Sequence, residues 1–147
     1  MSGQVNIFEL LPGDLEIKIL DIGAMAIRDE KASYHRLLEY GGTELIGFEP
    51  DAEQCAILNN QAGKRQRYFP HFIGDGSRRK FHVTNTRMTS SLYEPNMELL
   101  SKFTNLANLV QTVAVEEVET KRLDDLRDSI SDIDFLKIDV QGASLDV

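Results

Sequence analysis

Residues 17–26 read Ile-Lys-Ile-Leu-Asp-Ile-Gly-Ala-Met-Ala, and this stretch restricts the fold most closely. Ile17, Ile19, Leu20 and Ile22 form an apolar run too short for a helix and rich in β-branched side chains, which predicts a buried central strand. Asp21 is expected at the end of that strand and Gly23 in the turn after it, where small residues open the next helical pattern. A strand, a carboxylate, a glycine turn and a helix make the first unit of a doubly wound α/β sheet, whose ligand lies over the carboxyl ends of the strands. Gly23 would let the backbone approach that ligand closely, and the helix that follows would offer it free N–H groups.

The rest of the chain repeats the pattern. Residues 1–16 read as a lead-in with a turn at Leu11-Pro12-Gly13-Asp14. A first helix is expected over residues 31–40, with Tyr34, Leu37 and Leu38 on one face and Gly41-Gly42 ending it. Leu45-Ile46-Gly47-Phe48 reads as the second strand, and Asp51 as the cap of a second helix that ends near Gly63. Residues 68–73 read as a third strand, at an edge or bulged because Pro70 cannot donate to a ladder. A short strand is expected at residues 81–84, and a helix capped by Asn96 with Leu99, Leu100, Phe103 and Leu106 on one face. Residues 113–122 alternate as an exposed strand, residues 123–126 begin a short helix, and residues 133–140 form a strand ending in a carboxylate, with a turn at Gln141-Gly142.

Bulk properties narrow the classes of function. The 147 residues amount to one domain or part of one, and 41% hydrophobic content suffices for a core. The net charge of −8 repels phosphate backbones, so a nucleic-acid partner is not expected. Lys64-Arg65-Gln66-Arg67 and Arg78-Arg79-Lys80 are short and read as solvated loops. Cys55 is the single cysteine, so no internal disulfide can form, and the cytoplasm is the natural compartment. In its helical setting Cys55 reads as a small buried hydrophobe. No apolar run approaches membrane-spanning length. His35, His71 and His82 show no metal-ligand spacing, so no metal site is expected.

Acids collect where the ligand should lie. Asp21, Glu49 and Asp139 end predicted strands, and Asp75 follows the third. Carboxylates gathered at one edge repel one another unless a ligand brings donors. A nucleoside brings ribose hydroxyls and an amine, and a methionine-like tail brings an ammonium. Glu49 stands about 25 residues beyond Gly23, where an acid after the second strand meets ribose hydroxyls. Asp75 would then face an adenine amine, and Asp21 and Asp139 the charged tail. The structural alternative is that Asp21 and Asp139 cap helices and that Glu49 and Asp75 are solvated turn acids.

Leu20-Asp21-Ile22-Gly23-Ala24, Gly47-Phe48-Glu49-Pro50, Gly74-Asp75-Gly76, Ser90-Ser91-Leu92 and residues 134–142, Asp-Phe-Leu-Lys-Ile-Asp-Val-Gln-Gly, together resemble the FkbM-type methyltransferases. The resemblance runs from about Ile17 onward. It implies a Rossmann-like class I methyltransferase sheet, mostly parallel with helices on both faces, S-adenosylmethionine as cofactor, and methyl transfer to a hydroxyl oxygen of a sugar or natural product. It also implies that Asp21 and Gly23 lie at the methionine portion, Glu49 at the ribose and Asp75 on the adenine side. Asp139 would lie under the transferred methyl as the catalytic candidate. In that family the sheet continues past the position of Val147. Residues 17–147 are therefore read as the cofactor-binding part of the domain, with the C-terminal strands missing. The strand from Phe135 to Asp139 would then have an open edge that favours self-association.

Two other readings stay open at this level. A nicotinamide-dependent oxidoreductase would use Glu49 in the same way, although Gly23-Ala24-Met25-Ala26 has poor glycine spacing for it. A non-catalytic cofactor-binding fragment is the other. A small molecule or glycan is the expected partner, with neither nucleic acid nor membrane.

Overall fold

The computed structural model describes residues 7–10, 12–25, 31–130 and 132–147. The apolar run at the head of the chain is strand β1 (Ile17–Ile22), and β2 (Thr43–Phe48) runs parallel beside it, with Ile17 opposite Thr43 and Ile22 opposite Phe48. On the far side of β2 lies β3 (Gln66–Phe69), and on the far side of β1 lies β7 (Phe135–Ile138). The order β3-β2-β1-β7 is all parallel. This is the expected sheet with β1 at its centre.

Both faces of this sheet are covered, which is why β1 and β2 read as nearly continuous apolar runs. Alternation along a strand sends neighbours to opposite faces. Leu20, Ile22, Ile46 and Phe48 pack on one side with Ile73, beneath Leu123, Leu126, Ile130 and Ile133. Ile19 and Leu45 pack on the other with Tyr34, Leu37 and Leu38, around the helical turn α1 (His35–Leu38). Ile19, Ile22, Leu45 and Phe48 are almost fully buried, and each such side chain contributes about 1.5–3 kcal/mol of transfer free energy. Helix α2 (Ala52–Gln61) follows β2. Asp51 Oδ1 caps it by accepting from Glu53 N and Gln54 N, and Cys55 is its buried residue.

The helix expected over residues 31–40 is helical only at α1, with turns on either side. The single third strand expected over residues 68–73 is two strands. Pro70 has no N–H, so the ladder stops at Phe69, and β4 (Phe72–Ile73) joins a second sheet. That sheet has the order β4-β6-β5, with β5 at Arg78–Thr84 and β6 at Thr112–Lys121, and the sequence pattern does not predict it. In it β5 pairs antiparallel with the long exposed strand β6.

The helix expected after Asn96 is instead two separate turns, α3 (Met97–Leu100) and α4 (Leu106–Leu109). Asn96 caps the first as expected, but Asn105 takes the left-handed φ of +64° and breaks the pattern. Leu99 and Phe103 consequently stand exposed rather than on a buried face. Among the described residues no helix is long and apolar enough to cross a membrane.

Candidate functional site

A cleft of about 460 Å³ opens over the carboxyl ends of β1, β2 and β7. One wall consists of Ile22, Gly23, Met25, Glu49, Lys137 and Asp139. The second sheet supplies the facing wall through Phe72, Phe81, Val83 and Glu116, with Met88 and Leu92 from the loop after β5. The Phe72 and Phe81 rings meet edge to face at 4.9 Å and make this wall apolar.

Gly23 turns the chain at φ +80°. A Cβ there would stand 2.2 Å from the carbonyl oxygen of Asp139, so glycine is required both by the backbone angle and by the end of β7. Gly23 N and Ala24 N both donate to the Phe48 carbonyl at 3.0 Å, and Asp139 N donates to the Ile22 carbonyl at 2.9 Å. Ala24, where more glycine would be usual, is buried and does not have a positive φ, so its methyl is accommodated.

Glu49 is 2% exposed, yet its carboxylate lines the cleft. One oxygen, Oε1, accepts from Asp51 N at 2.9 Å, and among the described residues the other takes no hydrogen bond. Burial holds its pKa above the usual carboxylate range, and the nearby acids Asp51 and Asp21 push the same way. Asp139 follows β7 on the cleft rim with its side chain about half exposed.

Asp21 lies elsewhere. It is the penultimate residue of β1 rather than its end, so its side chain leaves on the α1 face and does not line the cleft. Its carboxylate is nearly fully buried, accepts from the Tyr34 hydroxyl, and pairs with Lys137 Nζ at 2.9 Å. Asp75 also lies outside the cleft. It is exposed in the turn before β5, where it accepts from Ser77 N and Oγ and lies 3.7 Å from Arg79. Those bonds hold its pKa below the usual carboxylate range. Gly23, Glu49 and Asp139 are therefore brought together, and Asp21 and Asp75 are not.

Sequence reading missed several contributors. Lys137 is legible as a cation inside an apolar strand run, matching the buried anion of β1. Ser91 carries no role in the sequence pattern. It is buried, and its hydroxyl donates to the Gln141 carbonyl, tying the loop after β5 to the turn after β7. Arg87 pairs with Asp51 at 2.9 Å across the mouth of the cleft. His71 lines the cleft, its ring stacked on Phe48 and Phe69, and His82 does not line it. Burial and the adjacent Lys121 push the His71 pKa down. Among the described residues no three His, Cys, Asp or Glu side chains converge as metal ligands would.

Four of the five stretches that carry the family resemblance meet at this cleft, and Gly74-Asp75-Gly76 does not. The sequence model of a family described as Methyltransferase FkbM domain matches residues 21–147. No curated protein and no solved structure gives a match.

Proposed function

Because the chain belongs to the FkbM methyltransferase family, we propose that this methyltransferase domain takes its methyl group from S-adenosylmethionine and passes it to a hydroxyl oxygen of a sugar or natural product, in the cytoplasm. The observation that carries the reading is the buried carboxylate of Glu49, with one oxygen unbonded among the described residues, beside the Gly23 turn at the mouths of parallel strands. The residues fit the cofactor chemically. Glu49 can accept two ribose hydroxyls. The cleft wall also carries Asp51, Glu53, Glu116 and Asp139, whereas its described cations, Lys137 and Arg87, are already paired with acids, which suits a ligand bearing sulfonium and ammonium charge. The bound cofactor supplies an electrophilic methyl.

The chain's own residues then have three tasks. Glu49 and the Gly23 turn orient the donor. The apolar wall of Phe72, Phe81, Val83 and Met88 holds the acceptor and excludes water. Asp139 and His71 are two of the cleft groups able to receive the hydroxyl proton.

Calorimetric titration with S-adenosylhomocysteine and, separately, with NAD tests the reading. Binding of the first alone is expected. Binding of NAD alone would move the chain to nicotinamide chemistry, and binding of neither would leave the cofactor assignment without support. Asp139→Asn is expected to lower methyl transfer by about 10²–10⁴-fold, the usual contribution of a positioned acid or base. Its half-exposed side chain should shift the melting midpoint by only a few degrees. Full turnover in the variant would leave Asp139 as a turn residue.

A further inference from the structure

We propose that Lys137 is the positioning residue of the donor site, clamping the 23–24 peptide over the cleft; the inference rests on the methyl-donor reading above. Lys137 is directly opposite Asp21 in the β1–β7 register, so both side chains leave the sheet on the same face. The ammonium reaches three groups. It donates to the Gly23 carbonyl at 2.9 Å, pairs with Asp21 Oδ1 at 2.9 Å, and lies 3.9 Å from Asp139 Oδ2. Among the described residues the Gly23 carbonyl takes its hydrogen bond, and the two acids attract it by charge.

The clamp follows from the geometry of one peptide unit. The Gly23 carbonyl and the Ala24 N–H belong to the same plane and point in opposite directions. Lys137 of β7 holds the first, and the Phe48 carbonyl of β2 holds the second at 3.0 Å. The peptide after β1 is thereby fixed from both neighbouring strands. Without Lys137 only the β2 side remains, and the turn loses the contact that sets its tilt over the cleft.

A rival account is that Lys137 merely neutralises Asp21, whose carboxylate is nearly fully buried and would be costly if left alone. The two accounts separate in the paired variant D21N/K137M, which removes both charges. If Lys137 is only a counter-ion, the variant behaves as the parent. If Lys137 clamps the turn, the sheet recovers but the turn does not.

The experiment is amide hydrogen exchange by NMR on the whole chain, with K137M and D21N/K137M beside the parent, followed by titration with S-adenosylhomocysteine. In D21N/K137M we expect parent-like protection at Leu20 and Ile46, exchange at Ala24 faster by about tenfold or more, and affinity weaker by roughly 10–100-fold. Parent-like exchange at Ala24 overturns the proposal. A double variant that fails to fold also overturns it, since the pair would then hold the sheet rather than the turn. If the parent itself does not bind S-adenosylhomocysteine, the methyl-donor reading fails, and exchange at Ala24 still decides the role of Lys137.

Discussion

Gly23→Val should abolish cofactor binding and lower the melting midpoint by on the order of 10 °C. The turn after β1 holds Gly23 at φ +80°, a region closed to β-branched residues. The added Cβ would also lie 2.2 Å from the Asp139 carbonyl oxygen and 3.0 Å from its carbon. Those atoms are backbone at the end of β7, next to the N–H that donates to Ile22 O, so they cannot yield without detaching that strand end. The obstacle is thus the neighbouring strand. Gly23→Ala carries the same Cβ and should be nearly as damaging, because the contact rather than side-chain bulk is decisive. Thermal melts and S-adenosylhomocysteine titration of both variants check this. An alanine variant within a few degrees of the parent and binding normally would show that the β1 turn can relax away from β7.

Glu49→Gln should separate binding from stability in opposite directions. Its carboxylate is buried, and burial raises its pKa above the unfolded value of 4.5. A raised carboxylate pKa means that the native state holds the proton more tightly than the unfolded chain. The ionised group therefore destabilises the fold above the raised pKa, and that penalty fades as pH falls toward 4.5. Glutamine keeps the oxygen that accepts from Asp51 N and removes the charge. At pH 7–8 the variant should melt a few degrees higher than the parent, with the difference closing below about pH 4.5. Cofactor binding should weaken by roughly 1.5–3 kcal/mol, the usual value of hydrogen bonds to a charged group. A variant that is less stable at pH 8 and binds normally would make Glu49 a structural acid of the β2 turn.

Among the described residues β7 is the outer strand of its sheet, and Phe135 and Leu136 are 36% and 49% exposed there. Self-association through that strand remains a proposal for light-scattering mass measurement.

Local chemistry determined a large part of this protein before any packing was considered. The parallel strands β1 and β2 are short apolar runs, which burial on both faces of a sheet accommodates. Asp51 and Asn96 each begin a helical turn because a side-chain oxygen satisfies a free N–H at the first turn. The meeting of Gly23, Glu49 and Asp139 follows from the same logic, since ends of adjacent parallel strands must converge. Tertiary structure alone decided the rest. Asp21 and Asp139 look alike in sequence, yet Asp21 lies inside β1, buried against Tyr34 and paired with Lys137, whereas Asp139 follows β7 on the cleft rim. Pro70 was visible as an interruption, but the partner of β4 lies about fifty residues away in β6, a distance at which local pattern carries no information. The apolar wall of the cleft, and the exclusion of Asp75 from it, depend on that long-range pairing.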